Sequence, residues 1–144
     1  PLPAKRCFEF GDRKVPFLET TGHTQGRICL FDEKTGSLFP GEMLCERGVL
    51  LGLDHSTCVE EYRQSVERIE KFYREHAGKK IFPSHHELPV SETIFSRYRE
   101  LCDKIISGEI KGRYIDDGIS QGLCAKENNL QILYRQISGK EHAS

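Results

Sequence analysis

Three residues in this sequence combine metal-binding chemistry with positions at the ends of predicted strands: His23, Glu42 and His85. His23 lies in a glycine-flanked turn after one strand. Glu42 follows a glycine just past another strand, and His85 comes two residues after a proline that ends a third. Imidazole and carboxylate groups are ligands that divalent metals accept. The pattern leaves two interpretations open: a metal site at one edge of a sheet, or ordinary loop histidines with a solvated glutamate.

Further polar residues lie close to these candidates in the sequence. His86 directly follows His85, and neighbouring side chains of an extended segment point to opposite faces, so His86 either lines a substrate cleft or donates a hydrogen bond to the backbone. Asp54 precedes a predicted helix, where it either orients a ligating imidazole or adds negative charge at the helix N-terminus. Cys45, three residues beyond Glu42, is interpreted as a buried structural thiol.

The segments that must position these residues begin with a predicted β-meander. Short apolar runs separated by turns predict strands over residues 7–10, 15–20, 28–31 and 37–40, with a polar hairpin connection over 32–36. After the middle of the chain, further short strands are predicted over 113–115, 123–126 and 130–134, with a tight turn at Asn128 and Asn129. A short apolar pair at 81–82 leads into His85.

Two helices are predicted between these groups of strands. Apolar residues recur at intervals of three and four in the first helix, which is typical of one helical face, and they are Val59, Tyr62, Val66, Ile69 and Tyr73. Gly78 stands where a left-handed residue would end that helix. The second helix is predicted over 91–107 and is ended by Gly108. We therefore expect one α/β unit over 1–144, with a mixed β-sheet, two main helices on one face and a frayed tail at 139–144.

The composition of the chain excludes several classes of protein. Its 144 residues are 37% hydrophobic and 30% charged, with a net charge of −1, as in a globular domain without a positive field for nucleic acid. Acidic residues alternate with the late basic residues, which argues against nucleic-acid binding as the function; the basic residues are Arg97, Arg99, Lys104, Lys111 and Arg113. Since no run of about 18 apolar residues occurs, no membrane span is expected.

The cysteines and the first residue of the chain also carry information. The six cysteines contain no C-x-x-C pair, so we expect reduced thiols and a cytoplasmic protein. The sequence begins with proline and its single methionine is Met43, so we expect either a removed leader or a piece of a longer protein.

Four motifs follow one another along the chain: Gly22-His23-Thr24-Gln25-Gly26, then Phe39-Pro40-Gly41-Glu42, then Asp54-His55-Ser56 before a helix, and Pro83-Ser84-His85-His86. In this order they resemble the second half of the metallo-β-lactamase superfamily. The resemblance covers roughly residues 7–134. It implies that this chain is the C-terminal half of a four-layer αββα sandwich that carries a dinuclear hydrolytic site at one edge of its sheets.

The same resemblance implies roles for the three candidate ligands. His23 would bind one metal and His85 the other, and Glu42 would take the position of a bridging aspartate that is one methylene shorter. The family's N-terminal H-x-H-x-D-H motif is absent from this sequence. The chain would therefore contribute part of the site, bind metal weakly or not at all by itself, and be inactive alone.

In the intact protein, the resemblance implies hydrolysis by metal-bound hydroxide. The expected cofactors are two divalent ions, with zinc foremost and iron or manganese as alternatives. The expected substrate is a small-molecule ester, thioester, lactam or phosphodiester. A different interpretation is a metal-free, non-catalytic binding or dimerisation module of the same fold, in which an exposed sheet face meets the missing N-terminal half or a second copy.

Overall fold

The computed structural model describes residues 7–20, 27–45, 48–51, 59–83, 89–116 and 121–134. The tail predicted to fray lies outside these residues. The described segments form strands, two α-helices and a short 3₁₀ helix at Gly41–Met43. In chain order they are β1 (Cys7–Phe10), β2 (Arg13–Thr20), β3 (Arg27–Asp32), β4 (Ser37–Phe39), β5 (Gly48–Leu51), α1 (Val59–Glu75), β6 (Lys80–Ile81), α2 (Thr93–Ser107), β7 (Arg113–Asp116), β8 (Gln121–Glu127) and β9 (Leu130–Tyr134).

The strands form two sheets. One has the order β1-β2-β3-β4-β6 and the other β5-β9-β8-β7. The predicted mixed α/β class is confirmed, but the strands are divided between two sheets where we expected one. The division arises at β5, a strand that the sequence analysis missed, because it pairs in parallel with β9 and not with β4. A Cβ at Gly48 would lie 2.3 Å from the Gln131 carbonyl oxygen, so glycine permits this close pairing.

A continuous apolar core joins the two helices to both sheets. Phe31 and Leu38 contribute to it from the first sheet, and Val49 and Ile132 from the second. The helical face predicted from the three-and-four spacing is confirmed, since all of its members are buried: Val59, Tyr62, Val66, Ile69 and Tyr73. Helices α1 and α2 also pack against each other. Burial of these side chains fixes the helices relative to the C-terminal ends of β2, β4 and β6.

The outer helix surfaces are polar and carry ion pairs between the helices. Arg63 on α1 lies 2.6 Å from the Asp103 carboxylate on α2, and Arg99 lies 3.0 Å from Glu70 in the opposite sense. In the part of the chain that the structure describes, no helix has the length and apolarity needed to cross a membrane.

The two helices end differently from each other. Gly108 adopts a left-handed conformation with φ of 85° after α2, as predicted, and its N–H donates to the Ile105 carbonyl at 3.2 Å. After α1 the left-handed residue is Ala77, with φ of 55°, so the prediction that Gly78 fills this position is wrong. Gly78 serves a different purpose: a Cβ there would lie 2.2 Å from the Tyr73 ring. The helix end is therefore packed against its own buried tyrosine.

Replacing Gly78 by Ala is expected to destabilise the protein by about 2–3 kcal/mol, because the Tyr73 ring is buried and cannot move aside freely. Gly108→Ala is the control, since its added Cβ meets no atom within 4 Å and only the positive φ opposes it, at about 1 kcal/mol. Urea unfolding of both variants measures the difference. A larger loss for Gly108→Ala would contradict the steric explanation.

Asp32 ties the β3–β4 hairpin to β2. Its carboxylate pairs with the Arg13 guanidinium, and it also accepts hydrogen bonds from the Thr35 hydroxyl at 3.0 Å and the Lys34 N–H at 3.2 Å. The bond to Arg13, aided by those other donors, lowers the pKa of Asp32 to about 2 from 3.8. The hairpin is thus stabilised by an ionised carboxylate.

The pH dependence of Asp32→Asn follows from this pKa. The folded pKa lies below the unfolded value, so the stabilisation is complete above about pH 5 and is lost as pH falls towards 2. We expect Asp32→Asn to cost about 1 kcal/mol at pH 7, after screening at the half-exposed Arg13, and roughly half of that at pH 3. Urea unfolding at both pH values tests this, with the exposed Glu33→Gln as control. A pH-independent difference would show that the charge is unimportant.

Candidate metal centre at one edge of the five-stranded sheet

The strands that precede the three predicted ligands all end at the same edge of the first sheet. β2 is antiparallel to β3, β3 is antiparallel to β4, and β4 is parallel to β6. β2, β4 and β6 therefore run in one direction, and their C-terminal ends meet at one edge. By the strand registers, Thr20 lies three residues beyond the level of Phe39 and four beyond that of Ile81, so the end of β2 lies about 14 Å from the end of β4 and about 20 Å from the end of β6.

Each predicted ligand follows one of these ends closely in the sequence. His23 is three residues past Thr20, Glu42 is three past Phe39, and His85 is four past Ile81. Such short segments reach at most about 15 Å from the strand end. His23, His85, His86 and Asp54 lie outside the described residues, and of Glu42 only the backbone is described. The structure places the three strand ends at the same edge of the sheet and describes no ligand side chain.

The segment that carries Glu42 is held from below by two helices. It begins with the 3₁₀ helix Gly41–Met43. The side chains of Met43 and of Leu44, the residue that follows the helix, are fully buried. The Tyr62 hydroxyl donates to the Met43 carbonyl at 2.6 Å, and the Tyr98 hydroxyl donates to the Cys45 carbonyl at 2.5 Å. The two carbonyls on either side of Leu44 are thereby satisfied in the core.

The two tyrosines form a single buried unit. Tyr62 belongs to α1 and Tyr98 to α2, both are fully buried, and their rings meet edge to face with centroids 5.8 Å apart. Burial raises the pKa of both hydroxyls well above the usual value for tyrosine. They therefore remain protonated donors at any physiological pH.

The other strand ends are also anchored. The Arg68 guanidinium of α1 donates to the Glu19 carbonyl at 3.1 Å, one residue before the end of β2. The Phe82 N–H donates to the Leu38 carbonyl at 2.9 Å, and Pro83 beyond it is buried. The Cys29 thiol of β3 lies 3.9 Å from the Pro40 carbonyl oxygen. Each segment thus leaves the sheet from a defined point.

The cysteines near this edge are poor candidates for chemistry. Burial raises the pKa of the Cys29 thiol to about 12, and that of Cys102 also to about 12, so neither is a thiolate at neutral pH. Cys45, predicted to be buried, is half-buried. Within the described segments, no group of three or more His, Cys, Asp or Glu residues is placed to hold a metal ion.

An aromatic pair lies beside the strand ends. Phe39 ends β4 and Phe82 follows β6, and their rings stack with centroids 5.7 Å apart and an interplanar angle of 17°. Phe39 is 41% exposed, so part of its ring is accessible at this edge. The edge therefore combines the ends of β4 and β6 with an apolar surface.

Sequence reasoning missed the residues that support the edge. Tyr62 was recognised only as a member of an apolar helical face, and Arg68 was not singled out. A signal did exist for the tyrosines, because a buried tyrosine normally needs a partner for its hydroxyl. The identity of that partner depends on the tertiary structure.

Comparison with known proteins shows the class of fold. No protein-family model matches the sequence. The chain is similar to the metallo-β-lactamase from Pontibacter korlensis, with a TM-score of 0.55 and 18% identity over 67% of this chain and 45% of that one. It is also similar to a metallo-β-lactamase family protein from Thermus thermophilus, with a TM-score of 0.56 and 21% identity over 74% of this chain and 35% of that one. The metallo-β-lactamase FIM-1 from Pseudomonas aeruginosa, in its mono-zinc form, gives a TM-score of 0.54 and 17% identity, covering 72% of this chain and 45% of that one. The chain thus has part of a metallo-β-lactamase fold.

The sequence relatives agree with this fold. The chain is 27% identical to the acyl-coenzyme A thioesterase MBLAC2 of Gallus gallus over 85 residues, which are 59% of this chain and 30% of that protein. The Homo sapiens protein of the same name matches with the same identity and coverage. The match therefore spans about a third of the length of these relatives. The resemblance to the metallo-β-lactamase superfamily is confirmed.

Proposed function

We propose that this chain is the C-terminal part of a metal-dependent hydrolase whose dinuclear site lies at the common end of β2, β4 and β6. The observation that carries the proposal is the common direction of β2, β4 and β6, whose C-terminal ends lie at one edge of the sheet and are each followed within four residues by His23, Glu42 or His85. The match to the curated relatives covers 30% of their length. The rest of the site would come from an N-terminal half.

The donor set suits divalent metals. His23 would bind one ion, His85 the other, and Glu42 would bridge them with a carboxylate one methylene longer than aspartate. Two imidazoles and a carboxylate fit zinc, and iron or manganese accept the same donors. Bound ions would activate water near neutral pH and polarise the substrate carbonyl. Three side chains divided between two ions are too few for tight binding, so the chain alone should be inactive.

The chain's own residues would orient the substrate. We propose a thioester as the substrate class, because the sequence relatives are named acyl-coenzyme A thioesterases and the Phe39–Phe82 stack offers an apolar surface to an acyl group. His86 would line the cleft beside His85, and Asp54 would orient a ligating imidazole.

The described cysteines are free thiols, which supports the proposed cytoplasmic location.

Metal content and a substrate panel test this proposal. After dialysis, elemental mass spectrometry of the full-length protein is expected to give about two divalent ions per chain, and the 144-residue chain near zero. Hydrolysis is then compared among an acyl-coenzyme A thioester, a simple ester, a lactam and a phosphodiester, with the thioester expected to be fastest. A full-length protein without metal would overturn the proposal. Preference for another substrate would overturn only the thioester assignment.

One observation favours a second function, a metal-free binding or dimerisation module. Phe10 of β1 is 62% exposed and Phe39 of β4 is 41% exposed, and both belong to the five-stranded sheet. Exposed apolar side chains on a sheet favour contact with another protein surface. Sedimentation of the full-length protein measures its oligomeric state, and elemental mass spectrometry of the same sample measures its metal content. The binding or dimerisation module predicts a dimer that binds no metal.

A further inference from the structure

We propose that Tyr62 and Tyr98 are positioning residues for Glu42: their two hydroxyl groups fix the backbone that follows it and thereby set the metal affinity of the site. This inference rests on the proposed role of Glu42 as a metal ligand. It assigns a function to two buried core residues that act through the backbone of the ligand segment.

The geometry of the two hydrogen bonds supports this role. The Tyr62 hydroxyl donates to the carbonyl of Met43, the residue next to Glu42, and the Tyr98 hydroxyl donates to that of Cys45. The donors come from different helices, and both are fully buried. A backbone held at two carbonyls, one and three residues beyond Glu42, leaves the Cα of Glu42 little freedom to move.

The packing around these bonds makes the anchor rigid. The side chains of Met43, the last residue of the 3₁₀ helix, and of Leu44 are fully buried. Residues 41–45 therefore cannot shift without exposing core side chains to water. The edge-to-face contact between the tyrosine rings couples α1 to α2 at this point. Glutamate has one more rotatable bond than aspartate, so a fixed backbone matters more for placing its carboxylate.

A third tyrosine in the same core provides an internal comparison. Tyr73 of α1 is also buried, but its hydroxyl has no hydrogen-bond partner among the described residues. Burial of a tyrosine in this core therefore does not by itself provide its hydroxyl group with a hydrogen-bond partner. The hydroxyl groups of Tyr62 and Tyr98 are directed to the segment that carries Glu42.

The test measures metal affinity in the full-length protein. Tyr62→Phe, Tyr98→Phe and the double variant remove only the hydroxyl groups, and Tyr73→Phe is the matched control. Each protein is stripped of metal, and its Zn²⁺ affinity is measured by competition with a chelator, well below its unfolding temperature. Amide hydrogen exchange of residues 41–45 is followed in parallel. Glu42→Gln shows independently whether Glu42 binds the metal.

We expect the double variant to bind Zn²⁺ roughly 10–100-fold more weakly, as for other groups that orient ligands, with faster exchange at 41–45. Tyr73→Phe should stay within about twofold of the wild type. If the double variant unfolds, the single variants replace it and should each show part of the loss. Wild-type affinity in the tyrosine variants, with weaker binding in Glu42→Gln, would overturn this inference alone. Unchanged Zn²⁺ binding in Glu42→Gln would overturn the role of Glu42 and this inference with it.

Discussion

Replacing His23 or His85 by Ala in the full-length protein is expected to lower kcat/KM for an acyl thioester roughly 1000-fold. In the proposed site each substitution would remove an imidazole from one of the two ions, and the charge stabilisation that a bound metal gives a transition state amounts to several kcal/mol. The bound metal should also fall by about half in each variant. Steady-state kinetics and elemental mass spectrometry on the same preparations measure both effects.

The control for these variants is a histidine away from the strand ends. His76 follows α1, where its Nδ1 lies 2.8 Å from the Phe72 carbonyl oxygen and its ring contacts Phe31. His76→Gln should leave metal content and kcat/KM close to the wild type. Full turnover in His23→Ala or His85→Ala would exclude these histidines as ligands, whatever the fold. Equal losses in His76→Gln would point to destabilisation and not to lost coordination.

The helices were predictable from the sequence because their signals are local. The spacing of Val59, Tyr62 and Val66 marks one face of α1 whatever the rest of the chain does. Gly108 ends α2 through its own backbone conformation. Gly78 shows the limit of local signals. A side chain at this position would collide with the Tyr73 ring, and the left-handed φ that the sequence predicted here belongs to Ala77.

The sheets were less predictable because their pairing is not local. Each strand from β1 to β4 pairs with the next one in the sequence, and all four were predicted. In contrast, β5 pairs with β9 between Gly48 and Gln131, and no turn connects them. Four residues of a short apolar segment do not specify a partner more than eighty residues away. The single expected sheet therefore became two.

The strands that lead into the candidate site were predictable, but the residues that support their ends were not. A ligand-type residue soon after a strand predicts a site at that strand's end, and the directions of β2, β4 and β6 place those ends at one edge. The hydrogen bonds of Tyr62 and Tyr98 depend on how two helices pack beneath Met43 and Cys45. Periodicity assigns a tyrosine to a buried face but does not say what its hydroxyl meets.

The stability of this edge depends on the contact between the first sheet and α1, and Phe31→Ala is expected to weaken it by about 3–5 kcal/mol. Phe31 is fully buried on β3, and its ring meets Phe72 and Tyr73 of α1 edge to face, with centroids 6.2 and 6.5 Å apart. Alanine would leave a cavity between β3 and α1, and α1 is also the helix that carries Tyr62. Urea unfolding of the full-length protein measures the loss.

Phe10→Ala is the matched control for this substitution. Phe10 is 62% exposed at the outer strand β1, so the same change should cost less than about 1 kcal/mol. Because α1 also donates from Arg68 to the end of β2, Phe31→Ala should in addition speed amide exchange near Glu19 and Met43. Comparable losses in the two variants would mean that the sheet and α1 are not coupled through Phe31, and that the strand ends are held by the hydrogen bonds alone.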